Sequence, residues 1–145
     1  MTVRPRRSVL YMPGSNTRAL EKAKTLAADT LILDLEDAVA PSAKAEARGF
    51  VCDAVKAGGY GRRELVIRIN SLTSEWGMDD LAAAIEAGPN AILVPKVSTP
   101  FDITTVDKAM AAAPKDLRIW AMMETPLAML NAREIASAKT EHPRF

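Results

Sequence analysis

The sequence predicts an α/β protein built on a parallel sheet, and three observations carry that prediction. Short apolar runs recur five times, about 25–35 residues apart, a spacing that suits the repeat of a (β/α)8 barrel. Each run is followed by a segment whose apolar residues repeat at helical spacing. The order βα repeated five times, with apolar strands and amphipathic helices, implies a parallel sheet with helices packed outside it.

The first strand is read at residues 8–12, Ser8-Val9-Leu10-Tyr11-Met12. Pro13-Gly14-Ser15-Asn16 is a turn in which Ser15 or Asn16 can cap the next helix. Leu20, Ala23, Leu26 and Ala27 then share one helical face. The second strand begins the stretch Thr30-Leu31-Ile32-Leu33-Asp34-Leu35-Glu36-Asp37-Ala38-Val39. That stretch is an apolar run that delivers the carboxylates Asp34, Glu36 and Asp37 at its end. A second helix is expected from about Pro41, a residue suited to the first helical position, to Lys56, with Ala43, Ala47, Phe50, Val51 and Ala54 on its apolar side. Gly58-Gly59 ends it.

The third strand is Leu65-Val66-Ile67-Arg68-Ile69, and residues 70–77 form a polar loop. A short helix over 78–87 stops at Gly88-Pro89. The fourth strand is Ala91-Ile92-Leu93-Val94, and Pro95-Lys96-Val97 leads away from it. A helix starting at Thr99 or Phe101 is expected to run to Ala113. The fifth strand is read at 117–123, terminated by Glu124-Thr125-Pro126, and a last helix at 127–138.

The right-handed crossover rule leaves an open doubly wound sheet or a barrel. A (β/α)8 barrel needs about 250 residues. At 145 residues, the expectation is either an open five-stranded domain or the N-terminal portion of a TIM-type barrel, with its last three units missing. Residues 140–145 carry no strand and read as an interruption between a helix and the next strand. The whole of 1–145 is expected to form a single domain without an internal boundary.

Composition narrows the class. Hydrophobic residues make up 48%, which supports a packed core. A formal net charge of +1 gives no reason to expect nucleic acid or a membrane as partner. No apolar run is long enough to span a bilayer. The basic start, Met1 to Arg7, is not followed by a signal-peptide pattern. The single Cys52 excludes an intrachain disulfide framework and reads as a buried small hydrophobe. A cytoplasmic setting fits these features. The one histidine, His142, lies in the tail and argues against a His-based triad.

Each strand ends in polar residues, and in a parallel α/β fold those ends lie on one face. They are Tyr11 to Asn16, then Asp34, Glu36 and Asp37, then Arg68 and Asn70, then Lys96, then Glu124. Cations, carboxylates and an amide at one rim suit an anionic substrate and a metal, or else a set of helix caps and ion pairs. Arg68 interrupts an apolar run. It can grip a carboxylate through two hydrogen bonds, or pair structurally with Asp34, Glu36 or Asp37. Glu124 can bind a hard divalent cation, or cap the last helix. Lys96 can neutralise substrate charge, or be a solvated loop residue. Gly14, Ser15 and Arg18 precede or open a helix and can hold a phosphate, or merely cap it.

These motifs resemble a known family. Arg7-Ser8-Val9-Leu10-Tyr11-Met12-Pro13-Gly14-Ser15, Leu33-Asp34-Leu35-Glu36-Asp37-Ala38-Val39, Val66-Ile67-Arg68-Ile69-Asn70, Val94-Pro95-Lys96 and Met123-Glu124-Thr125-Pro126 are similar to segments of the HpcH/HpaI aldolase/citrate lyase family. Within it they resemble the citrate lyase β-subunit-like branch, with malyl-CoA and citramalyl-CoA lyases. The resemblance implies a modified barrel, trimeric or hexameric, that binds Mg2+ and acts on thioesters carried by coenzyme A or by an acyl-carrier subunit of a citrate lyase complex. It implies cleavage or formation of a citrate-, malate- or citramalate-like thioester, giving an acyl thioester and a 2-keto acid. A thioesterase and a non-catalytic barrel subunit are the alternatives. By motif, Arg68 would hold the keto-acid carboxylate and Glu124 would ligate the metal. Glu36 and Asp37 would stand beside the metal through water, and the loop after Tyr11, with Arg18, would border the coenzyme A phosphates. Asn70 and Lys96 join the substrate side. The family's second metal-binding Asp belongs to a later strand motif that these residues do not contain, so only part of the centre is expected here.

Overall fold

Alternation of side chains along five strands sorts the sequence into two faces. The computed structural model describes residues 4–143. The strands are β1 Val9–Pro13, β2 Thr30–Asp34, β3 Glu64–Arg68, β4 Ala91–Val94 and β5 Arg118–Ala121. They pair in the order β1-β2-β3-β4-β5, every pair parallel. A doubly wound sheet would break that order at a switch point. Sequential order is the arrangement of successive units in a β/α barrel.

The connecting helices are α1 Thr17–Ala23, α2 Lys44–Ala57 after a 3-10 turn at Pro41–Ala43, α3 Gly77–Ala87, α4 Pro100–Ala109, α5 Pro126–Leu130 and α6 Ala132–Ser137. Leu31, Leu33, Ile67, Ile92, Val94 and Ile119 point from the sheet into the helices and form the main core with Leu20, Val51, Leu81, Ile103 and Ile135. The intervening residues Ile32, Val66, Ala91 and Leu93 form a second cluster on the opposite face, with Trp120 and Met122 against it. The opposite face carries charge at both ends. At its lower end Glu64, fully buried, takes two bonds from Arg6 (2.6 and 2.9 Å) and one from Arg118 (3.3 Å). At its upper end stand Asp34 and Arg68.

Several expected boundaries shift for identifiable reasons. α1 stops at Ala23, so Leu26 is only half-buried and Ala27 is exposed. The buried side of α2 is Ala47, Val51, Cys52 and Val55, rotated from the expected face, which leaves Phe50 and Ala54 partly covered. α4 begins with a capping box between Thr99 and Asp102 and ends at Ala109 rather than Ala113. The regular part of the fifth strand is only Arg118–Ala121, although Met122 N–H still donates to Val94 O at 2.9 Å. The last helix is two helices. Asn131 leaves helical geometry (φ −97°, ψ 13°) and its side-chain amide donates to Ser98 O at 2.9 Å.

The tail is also structured. His142 is buried and its Nδ1 lies 2.9 Å from Asp107 Oδ1. Backbone N–H groups of Glu141 and His142 each donate to that carboxylate at 3.0 Å. Pro143 O accepts from Ile119 N–H at 2.9 Å, which places the chain beside β5. Residues 144–145 of the expected interruption at 140–145, and residues 1–3 of the chain start, lie outside the described residues. Among the described residues, no helix is long and apolar enough to cross a membrane.

Candidate active site

The strand register builds the site. Asp34 ends β2 and Arg68 ends β3, and the ladder sets them directly side by side on one face. The guanidinium grips the carboxylate with both edge nitrogens: Nε donates to Oδ1 at 2.7 Å and Nη2 to Oδ2 at 2.6 Å. Asp34 also accepts the backbone N–H of Glu36 (2.8 Å) and of Ala38 (3.1 Å). One buried carboxylate therefore satisfies the arginine and shapes the turn that presents Glu36 and Asp37. Burial opposes the charge of Arg68, but the bonds and charge of Asp34, then the charge of Glu36, outweigh it and hold its pKa above the usual value.

The remaining Arg68 nitrogen, Nη1, lies 3.1 Å from Glu36 Oε2 and 3.7 Å from Asp37 Oδ2. It also donates to Met122 Sδ at 3.6 Å. The Tyr11 ring stacks on the guanidinium at 5.1 Å. Burial is the main cause that raises the Tyr11 pKa; Arg68 opposes it and the nearby carboxylates reinforce it.

Glu36 reaches across to the fourth strand. Lys96 Nζ donates to its Oε1 at 2.6 Å and lies 4.0 Å from Asp37 Oδ1. The backbone N–H of the same lysine donates to Glu124 Oε1 at 2.8 Å. Lys96 adopts φ +53°, the one positive φ at a non-glycine residue among the described residues. Residues from the ends of β2, β3, β4 and β5 thus form one continuous chain of contacts, Arg68–Glu36–Lys96–Glu124, with Tyr11 of β1 laid against it. The bond and charge of Glu36 hold the Lys96 pKa above its usual value.

The other expected site residues fall behind or outside this chain. Asn70 is buried and both its amide protons are used, one on Leu35 O (2.9 Å) and one on Asp80 Oδ2 (2.6 Å). These bonds tie it to the turn after β2 and to α3. Gly14 is a packing position: its N–H donates to Asp34 O at 2.8 Å, and an added Cβ would lie 2.5 Å from that oxygen. Ser15 and Arg18 are exposed at the start of α1, where Asn16 is the cap, accepting from Ala19 N–H at 3.0 Å. No bond or ion pair joins either of them to the chain of contacts among the described residues.

Sequence reasoning missed the outer support. Lys44 at the start of α2 is buried, donates to Leu35 O and Glu36 O (3.0 and 2.9 Å), and packs over Trp76. Burial lowers its pKa against the pull of Asp80 and Glu36. Arg48 one turn later binds Asp80 at 2.7 Å. A lysine and an arginine four apart on a helix read as surface residues. The one available signal was spacing: Lys44, Arg48 and Cys52 follow one another at four-residue intervals, beside buried Ala47, Val51 and Val55.

The donor set is that of a hard divalent cation. Glu36, Asp37 and Glu124 offer carboxylate oxygens. Among the described residues, no three acidic, histidine or cysteine side chains are grouped so that they could hold a metal ion.

Comparison with known proteins agrees with the motif resemblance. The family model described as HpcH/HpaI aldolase/citrate lyase matches residues 7–142. The (3S)-malyl-CoA thioesterase of Cereibacter sphaeroides is 51% identical over 141 residues, covering 97% of this chain and 47% of that protein. Citrate lyase subunit beta of Escherichia coli is 37% identical over 142 residues, covering 93% of this chain and 47% of that protein. The crystal structure of CitE from Mycobacterium tuberculosis in complex with magnesium, acetoacetate and coenzyme A superposes with a TM-score of 0.73 at 27% identity, covering 98% of this chain and 48% of that one. The chain spans about half the length of the curated relatives it matches.

Proposed function

The chain belongs to the HpcH/HpaI aldolase/citrate lyase family, and from that premise we propose that it supplies part of a Mg2+-dependent active site that cleaves or forms a carbon–carbon bond. The substrate class is a citrate-, malate- or citramalate-like thioester, and the products are an acyl thioester and a 2-keto acid. The observation that carries the reading is the contact chain Arg68–Glu36–Lys96–Glu124, which gathers the ends of four strands into one anion- and cation-binding rim.

Arg68 would meet the keto-acid carboxylate and oxygen through Nη1, the nitrogen that Asp34 leaves available, while the bidentate bond to Asp34 keeps the guanidinium in place. Glu124 would ligate Mg2+ directly, and Glu36 and Asp37 would stand beside it through water. When bound there, Mg2+ supplies Lewis acidity that stabilises charge on the keto-acid oxygen. Asp37, more exposed than Glu36 in the turn after β2, would accept the substrate hydroxyl proton. The electron pair of the broken C–C bond then passes to the thioester α-carbon, which is protonated. Asn70 supports the wall from behind. Ser15 and Arg18 would border the phosphates of coenzyme A, or of an acyl-carrier thioester, and Gly14 would serve by seating their loop against Asp34 O. A crystal structure of a relative holding magnesium, acetoacetate and coenzyme A together supports this ligand set.

A second reading is hydrolysis of the same thioester, favoured by the 51% identity to a (3S)-malyl-CoA thioesterase. Products separate the two. With a malyl thioester, carbon–carbon cleavage releases acetyl thioester and glyoxylate, whereas hydrolysis releases malate and a free thiol. The lyase reading predicts the first pair in the intact natural protein, abolished by chelator. Glu124→Ala and Arg68→Ala should each lower kcat/KM by about 100-fold or more. Unchanged turnover in both variants would remove the site assignment. The reading extends to a single domain over 1–145 forming the N-terminal portion of a barrel, to a trimeric or hexameric assembly or a citrate lyase complex, and to a cytoplasmic setting, which the free, buried Cys52 supports.

A further inference from the structure

Lys96 does more than neutralise charge at the rim. We propose that Lys96 is a built-in counter-cation: it holds the β2 and β5 carboxylates Glu36 and Glu124 together, and its ammonium leaves Glu36 when a divalent cation enters. The inference rests on the metal-dependent reading above and adds a residue that sets the metal's affinity.

Three observations carry it. First, one residue bridges both carboxylates, its backbone N–H on Glu124 Oε1 at 2.8 Å and its Nζ on Glu36 Oε1 at 2.6 Å. The bridge depends on φ +53°, a conformation that costs a lysine energy and is kept only where surrounding contacts impose it. Second, the ammonium stands among the same carboxylates that would bind or flank an ion, 2.6 Å from Glu36 and 4.0 Å from Asp37. Two like charges cannot share that space at low cost. Third, the two rim cations differ in freedom. The Arg68 side chain is 7% exposed and locked on Asp34, whereas the Lys96 side chain is 56% exposed on a flexible, easily hydrated stem. Lys96 is therefore the cation that yields. Its backbone bond to Glu124 survives the departure of the side chain, so the ligand from β5 remains aimed.

The test is Mg2+ titration by calorimetry of the intact natural protein and its Lys96→Met and Lys96→Arg variants, at low and high ionic strength. Removing a competing charge about 5 Å from a dication should tighten Mg2+ binding by about tenfold in Lys96→Met. Lys96→Arg, which keeps the charge, should bind as the parent does. The Lys96→Met advantage should shrink at high salt. A role confined to supporting the fold would weaken binding instead. Equal or weaker binding in Lys96→Met, with Mg2+ still bound by the parent, overturns the counter-cation inference alone. Failure of all three proteins to bind Mg2+ overturns the metal-dependent reading and this inference with it.

Discussion

Asp34 is a carboxylate on which four hydrogen bonds converge, two from Arg68 and two from the backbone of the turn that follows. Both partners of the ion pair are almost fully removed from water. Removing one side of such a pair leaves the other buried with too little compensation. Asp34→Ala should therefore lower unfolding free energy by about 3 kcal/mol or more, measured by urea denaturation, and should release the turn carrying Glu36 and Asp37. A loss under about 1 kcal/mol would show that Glu36 alone can neutralise Arg68. Gly14 makes a second residue-scale prediction. A Cβ there would lie 2.5 Å from Asp34 O and 2.8 Å from Val51 Cγ2, and neither backbone nor core can move aside freely. Gly14→Ala should cost about 2 kcal/mol in the same measurement.

Among the elements, the segment after α6 is clasped by a carboxylate as well as by its bond to β5. Asp107 of α4 takes backbone N–H bonds from Glu141 and His142 and faces the imidazole of His142. Burial pushes the Asp107 pKa up, but those bonds outweigh it and hold it below the usual carboxylate range. A carboxylate with a depressed folded pKa stabilises fully above its unfolded pKa, about 3.9, and that stability is lost as pH falls through the folded value. Protection of the Glu141 and His142 amides against exchange, taken relative to their intrinsic rates, should therefore be strong at pH 6 and fall below about pH 4, and Asp107→Asn should flatten that dependence. Local pattern could not have shown this clasp, because Asp107 and His142 are 35 residues apart. The same limit applies to Glu64, whose partner Arg6 is 58 residues away, and to the break at Asn131, which depends on Ser98 O. The strands were legible because apolar runs and turn residues are local signals, but their order in the sheet was not, because a doubly wound sheet and a barrel share the same βα alternation. Arg68 was legible as a paired charge because it interrupts such a run. The bridge through Lys96 was not, because a lysine does not announce a left-handed backbone.

For the whole molecule, the decisive feature is the sheet face turned away from the helices. Ile32, Val66, Ala91 and Leu93 cover its centre, and Trp120 and Met122 are only partly covered beside them. Beyond this patch Val9 (42%), Leu10 (38%) and Tyr11 (41%) are exposed along β1, which has a strand neighbour on one side only. Leu127, Met129 and Leu130 are exposed on α5 at the other side of the sheet. A bare strand edge offers unpaired backbone groups as well as apolar side chains, and both favour pairing with a second chain. Arg4, Arg6 and Arg7 just before β1 oppose like-with-like pairing, but Arg6 and Arg7 are already bound to Glu64 and Asp29, which blunts that repulsion. The 145-residue chain studied alone should therefore associate as concentration rises, read by sedimentation velocity. Val9→Lys places a charge on this edge at a side chain that the core does not use. It should shift association to at least about tenfold higher concentration, while thermal unfolding changes by no more than a surface substitution would cause. A chain that stays monomeric at high concentration would show that the β1 edge is protected by its own arginines. Association unaffected by Val9→Lys would move the contact to α5, where Leu130→Glu is the corresponding change.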